Sequence, residues 1–268
     1  MRALAALLSL VSLADARAEP PGILPGYVAG EAFTYKFSIG VIDAGRARMS
    51  VGYPIAIDGR RVLAVAGDAH SASWFAVIAK LDDHYKVILD ADKLLALKVA
   101  SVETGIRTRA IKSEMDGRVL DIALTAPLRN EKYHRVLPAP PRDPVASLFA
   151  LRAARLADGD VLELLALDGA ALYRGRIRVV GREELTRAQG GPVRVIRLDA
   201  MAQRIDDVGH IAPFPARAFH IYLSDDAARI PYRISGDTDL GEARLELTSY
   251  IPPQPSSILT TPRQRPTR

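Results

Sequence analysis

Alternation of apolar and polar residues with a period of two runs through this chain and leaves few folds open to it. In "EAFTYKFSIG", Phe33, Tyr35, Phe37 and Ile39 fall on one face, with Thr34, Lys36 and Ser38 on the other. An extended strand separates neighbours in this way, because successive side chains leave opposite faces of the pleat. Asp43-Ala44-Gly45 then reads as a turn and "RARMSVGY" as the returning strand. Asp58-Gly59 is a strong hairpin signal, since both residues tolerate the positive φ of a tight turn. "RRVLAVAGDA", "YKVILD", "ALKVASVE" and "RTRAIKSEM" continue the pattern, and Asp116-Gly117 turns the last of these into "RVLDIAL". Short strands at this spacing, joined by Gly and Asp turns, predict antiparallel β architecture, barrel-like or in two sheets. Ser71 to Lys80, "SASWFAVIAK", holds the only tryptophan and fits a short helix and a wide strand equally.

A single helix interrupts the strands. "RDPVASLFALRAARLADGD" places Asp143 at an N-cap and Pro144 at the first helical position, where its missing N–H costs nothing. Val145, Leu148, Phe149 and Leu156 form an apolar stripe, Arg152 and Arg155 suit the C-terminal end of the dipole, and Asp158-Gly159 is the predicted stop. The preceding "LPAPPRDP" reads as a linker between β-rich halves, 19–137 and 143–250. The second half resumes with "DVLELLALD", "ALYRGRIRVVGREEL", "VRVIRLDAMA", "ARAFHIYLS", "IPYRIS" and "EARLELTSY".

The chain ends indicate export. Met1-Arg2, the apolar run Ala3 to Ala14 and the small residues Ala16 to Ala18 follow the order of a secretory signal, with cleavage expected near Ala18. The body is then 19–250, in a periplasm or outside the cell. The tail 251–268 is rich in Pro, Ser, Thr and Arg and is expected to be disordered. The 268 residues contain no cysteine, which excludes disulfides, thiolate metal sites and a lipid-modified cysteine. No later apolar run is long enough for a membrane helix. The formal charge of +5 sits largely in the two ends, and the body carries about +1. With 6% aromatic residues and no basic, aromatic face, nucleic acid is not an expected partner.

Candidate chemistry is sparse. In "YLSDDAARIPYRIS", Ser224, Asp225, Asp226 and Arg229 have the residue types of a hard-cation or paired-carboxylate site. Phe219, Ile221 and Leu223 alternate inward before the group, and Ile230, Tyr232 and Ile234 after it. The group therefore reads as a hairpin connection, with Ser and Asp bonded to local backbone and Arg229 as counter-charge. The histidines, His70, His84, His134, His210 and His220, have no metal spacing in sequence, and His220 reads as a solvent-facing strand residue. Glu183-Glu184 points to opposite faces, "AQGGPV" lacks a phosphate-loop pattern, and no nucleophile motif is present. The residues thus assign no catalytic, cofactor-binding or metal-binding role.

The stretches "GEAFTYKFSIGVIDAGRARM", "DPVASLFALRAARLADGD", "YRGRIRVVGREE", "YLSDDAARIPYRI" and "GEARLEL" resemble, in order and content, the family catalogued as domain of unknown function 3108. The resemblance extends from about Gly30 to Tyr250 and is loose over 69–136. It implies an antiparallel β fold in an envelope protein of Gram-negative-type bacteria, and carries over no catalytic residues. Some similar proteins are lipid-anchored, which this chain, without cysteine, does not support. The function expected is an exported, envelope-associated β module that binds an apolar ligand, a glycan or an envelope protein without enzymatic activity or cofactor. The alternative is a hydrolase of envelope polymers, its carboxylates converging from distant strands.

Overall fold

The computed structural model describes residues 26–77, 80–105, 108–187, 190–238 and 241–253; residues 1–25, with the expected signal, and the tail beyond Pro253 lie outside them. Nine strands precede the helix: β1 (Ala32–Ile39), β2 (Ile42–Val51), β3 (Ile55–Ile57), β4 (Arg60–Ser71), β5 (Leu81–Asp90), β6 (Leu95–Gly105), β7 (Arg109–Asp116), β8 (Val119–Ala126) and β9 (Arg129–Val136). Helix α1 (Pro144–Ala153) follows, and then β10 (Val161–Asp168), β11 (Ala171–Leu185), β12 (Val193–Ile205), β13 (Arg217–Ser224), β14 (Pro231–Thr238) and β15 (Gly241–Ile251).

All fifteen strands belong to one antiparallel sheet. The order is β10-β11-β12-β13-β14-β15-β1-β2-β4-β5-β6-β7-β8-β9, with β3 paired to β4. Strands β1–β9 and β10–β15 are therefore two wings of one surface, joined where β1 pairs with β15 from Ala32↔Ile251 to Ile39↔Ala243. The sheet is not closed: β9 and β10 are its two ends, and the chain between them carries α1. A sheet of this width must curl, and its bulges supply the bends. Registers shift in β1–β2, β1–β15, β5–β6, β11–β12 and β13–β14. The free edge of β9 reads "RNEKYHRV", a run of charges that discourages pairing with another chain.

One sequence expectation is corrected here. The first hairpin turns at Gly40-Val41; Asp43-Ala44-Gly45 is instead a bulge in which Phe37 faces Gly45, Ser38 faces Asp43 and Ala44 is the extra residue. Both places have turn-forming residues, and pairing with β15 on the other side of β1 selects the register. Asp58-Gly59 does form the β3–β4 turn, with φ of 49° and 76°. The segment after β4 resolves as a short 3-10 turn, Phe75–Val77, with Trp74 exposed; Ile78 and Ala79 lie outside the described residues.

Helix α1 begins as its cap chemistry predicts. The Asp143 carboxylate accepts from the backbone N–H of Ala146 at 3.0 Å and of Val145 at 3.3 Å. The helix stops at Ala153, before Asp158-Gly159, because Ala154 is extended with ψ 150°. Leu156 thereby leaves the helix and reaches the core of the second wing. The helix is apolar on nearly every side, as a buried one must be. Ala146, Phe149 and Ala153 pack with Phe33, Leu63, Leu89 and Leu120 of the first wing. Leu151 packs with Ile177, Ile196, Leu198 and Leu223 of the second. Gly26 allows the close approach ahead of β1: its φ is 73°, and a Cβ there would lie 2.3 Å from the Phe149 carbonyl oxygen.

Phe149 is fully buried in the first-wing core. Phe149→Ala is expected to cost about 3–5 kcal/mol of unfolding free energy, read from the midpoint of a urea titration. A loss below about 1 kcal/mol would mean that the helix is not packed as described.

Candidate functional site

Two features centre on α1: a buried ion pair at its C-terminal end and a pair of cavities along its N-terminal half. In the first, Arg152 meets Glu31, with Nη1 to Oε1 at 2.6 Å and Nη2 to Oε2 at 2.9 Å. The side chains are 1% and 0% exposed. Arg152 Nη2 also donates to the Ala228 carbonyl at 2.9 Å, and Glu31 accepts from the Val28 N–H at 2.9 Å and the Tyr250 hydroxyl at 3.4 Å. The guanidinium carbon lies 5.5 Å from the Phe33 ring centroid and 5.6 Å from that of Phe149, within cation–π range. Burial, and secondarily the Glu31 charge, raise the Tyr250 phenol above its ordinary range. Arg152 lies in the last turn of the helix, where its charge suits the dipole, and is a core residue joined to a carboxylate 121 positions away.

The hairpin group Ser224, Asp225, Asp226 and Arg229 lies beside this clasp. Asp226 Oδ1 accepts from Ser224 Oγ at 2.7 Å and from the backbone N–H of Ala228 at 2.9 Å and Arg229 at 3.2 Å. Ser224 Oγ accepts from the Ile230 N–H at 2.7 Å. The close ion-pair partners of Asp225 are Arg194 at 2.9 Å and Arg182 at 3.4 Å; Arg229, the counter-charge expected from the sequence, feels the charges of Asp225 and Asp226 without such a close pair. Arg229 has φ 48° and a buried Nη1 without a hydrogen-bond partner. Burial, with Arg182 nearby, lowers its pKa. Arg182 also donates to the Leu156 carbonyl at 2.7 Å and pairs with Asp158. The turn is thus fastened to both sides of the helix terminus.

The other sequence candidates form pairs of their own. His220 Nδ1 lies 2.6 Å from Asp199 in a half-exposed cross-strand pair. Glu183 faces Arg197 at 3.9 Å. His70 and His84, distant in sequence, meet across β4–β5 with ring centroids 5.5 Å apart, and both contact Asp82. Among the described residues, no three His, Cys, Asp or Glu side chains are placed to hold a metal ion.

An apolar cavity of about 270 Å³ lies between α1 and the inner face of β10–β14. Leu148 and Leu151 form its helical wall, and Leu164, Ile177, Phe219 and Ile221 are among its sheet residues. Gly175 and Ala202, paired across β11–β12, keep the floor low. A second cavity of about 210 Å³ lies on the other side of Pro144, against β5–β7. Pro144, Leu167 and Asp168 border both. A broader groove of about 580 Å³ crosses β1, β2, β4 and β5 but is lined in part by Arg48, Asp68 and His84. The cavity beside the helix is the better candidate, since apolar walls on several sides are what hold a small ligand.

An open, curled antiparallel sheet wrapped on one helix defines this as a β-barrel-like protein. The chain belongs to the family described as "Protein of unknown function (DUF3108)", whose model matches residues 34–248. It is similar to the β-barrel-like DUF1849 protein of Brucella abortus, at 10% identity and TM-score 0.56, covering 85% of this chain and 99% of that one. This likeness supports the fold. Two weaker likenesses, each covering 85% of this chain and 99% of the other, are to a Bacteroides fragilis protein described as exported with a YmcC-like fold and a Parabacteroides distasonis protein described as a lipoprotein. Their identities are 9% and 7%, with TM-scores of 0.38 and 0.39. No curated protein matches the chain. Among the described residues no helix is long and apolar enough to cross a membrane.

Removing one partner of the buried pair strands the other charge, so Arg152→Met is expected to cost about 3–5 kcal/mol. The double change Arg152→Met with Glu31→Leu should recover much of that loss in a urea-unfolding cycle. Additive losses would show that the two side chains do not act as a pair.

Asp143 supplies a pH test. Burial raises its pKa from 3.8 to about 6, so the folded state holds the proton more tightly than the unfolded chain does. Its stabilising contribution is complete below pH about 4 and is lost as pH rises through about 6, a change on the order of 3 kcal/mol. Asn caps helices about as well as Asp. Asp143→Asn should therefore keep the helix while removing this decline from the pH dependence of urea unfolding, and an unchanged profile would contradict the assignment.

Proposed function

We propose that this chain is an exported, envelope-associated module that holds an apolar ligand between α1 and the second wing of its sheet. The observation that carries this reading is the cavity of about 270 Å³ walled by Leu148, Leu151, Leu164, Ile177, Phe219 and Ile221. Apolar cavities favour apolar occupants because water inside them finds few polar partners. Export is supported by the charged start, apolar run and small-residue site of residues 1–18. Asp225 and Asp226 are engaged in ion pairs and turn bonds. These two carboxylates are held as structural ligands of the turn and do not face one another across a cleft.

Native mass spectrometry of the protein recovered from its own periplasm tests the proposal. The expected spectrum carries a released apolar adduct. Ala202→Phe, which fills the floor of the cavity, should abolish the adduct while leaving the melting temperature within a few degrees. Protein that is consistently empty, and that also fails to bind an added apolar fluorescent probe, would overturn the reading.

A further inference from the structure

The second cavity differs in chemistry from the first, and the two adjoin. The first is lined almost wholly by hydrocarbon. The second is bordered by Tyr85, Ser101, Ser113, Glu103, Asp143 and Asp168 together with Val99, Ile111 and Val145. Pro144, Leu167 and Asp168 line both, so the two adjoin there. Each alone falls below the volume usual for a small-molecule site, whereas a ligand reaching into both would occupy a volume within the roughly 300–1,000 Å³ that such sites span. Two buried hydroxyls lack hydrogen-bond partners, Tyr85 of the second cavity and Ser147 of the first. Each costs free energy unless something bonds to it, as buried polar groups almost always have a partner.

Charge narrows the choice of partner. Glu103 is neutralised by Arg109 at 2.7 Å. The Asp143 carboxylate is engaged by two backbone N–H groups and has no cationic partner among its hydrogen bonds. Asp168 lies beside it and shares the Arg109 charge with Glu103, so the wall has more carboxylates than cations and is rich in acceptors, while Tyr85, Ser101 and Ser113 can both donate and accept. A carboxylate or phosphate head would meet like charge. A quaternary ammonium would leave the hydroxyl donors unpaired. A head bearing hydroxyls matches both sets of groups.

Resting on the proposed apolar-ligand reading, we infer that the occupant is a single-chain amphiphile with an uncharged, hydroxyl-bearing head. Its chain lies between α1 and β10–β14, and its head passes Pro144 into the cavity against β5–β7. Tyr85 and Ser113 are the head-selecting residues; Ser113 is 3% exposed.

The test is displacement of an apolar fluorescent probe from the full chain by three ten-carbon amphiphiles below their aggregation concentrations. These are 1-monodecanoylglycerol, decanoate and decyltrimethylammonium. The glycerol ester should bind about tenfold or more tightly than either charged compound, which is the scale of one or two well-made hydrogen bonds. Tyr85→Phe with Ser113→Ala should reduce that preference to about twofold. Equal binding of all three by the native chain, or a preference that survives in the variant, would overturn the inference while leaving the apolar site standing. Failure of both the probe and all three amphiphiles to bind would overturn the site itself. A melting temperature equal to that of the native protein shows that the variant is folded.

Discussion

A buried arginine needs its charge answered where it lies, and the answer to Arg152 holds this fold in its arrangement. Its guanidinium is gripped by Glu31 just ahead of β1, capped by the Ala228 carbonyl in the β13–β14 turn, and flanked by the rings of Phe33 and Phe149. Tyr250 of β15 reaches the same carboxylate. Four segments distant in sequence thus meet at the last turn of the helix. Ion pairs of this kind contribute little net stability compared with hydrocarbon of equal shape, since desolvating both charges is costly. Their effect is on geometry. Only one placement of α1 satisfies both side chains, and that placement sets the helix against the β1–β15 seam where the two wings join.

The rest of the architecture follows from an open sheet that has to cover its own inner face. One helix between the terminal strands fills the interior, offering Phe149 to one wing and Leu151 to the other. The Arg142 backbone bridges to Ala166 of β10 and so covers part of one end strand, while charges guard the other. A helix of ten residues is too small to occupy the whole interior of a fourteen-strand path. The space left on either side of Pro144 is where the two cavities lie. Small residues at Gly175 and Ala202 enlarge one of them, where a bulkier pair would have packed onto Leu148 and Leu151. In this sense the binding proposal grows from how the core is filled.

Local chemistry was legible in the sequence and long-range chemistry was not. Alternation in "EAFTYKFSIG" and the turn at Asp58-Gly59 identify strands because each depends on neighbours only. The N-cap at Asp143 is readable for the same reason. The end of the helix is not, since "AARLADGD" contains residues that would sustain another turn; packing of Leu156 into the second core draws the chain out at Ala154. Turn residues occur at both Gly40-Val41 and Asp43-Gly45, and pairing across the sheet decides between them. The partners of Asp225 come from β11 and β12, beyond the reach of a reading that looked to Arg229 four residues away. Glu31 and Arg152 carry no sequence signal as a pair: an acidic residue before a strand and a basic one near a helix end are ordinary on any surface. The cavities depend on distances between packed elements, so no motif announces them.

The central claim is that the space between α1 and β10–β14 is a binding site for an alkyl chain. Anomalous diffraction from crystals soaked with a ten-carbon 1-iodoalkane tests this most directly. The account predicts an iodine peak within the cavity bordered by Leu148, Leu151, Ile177 and Ile221, with the helix in place. Iodine found only on the outer surface, with that cavity closed by inward movement of the helix, would contradict it.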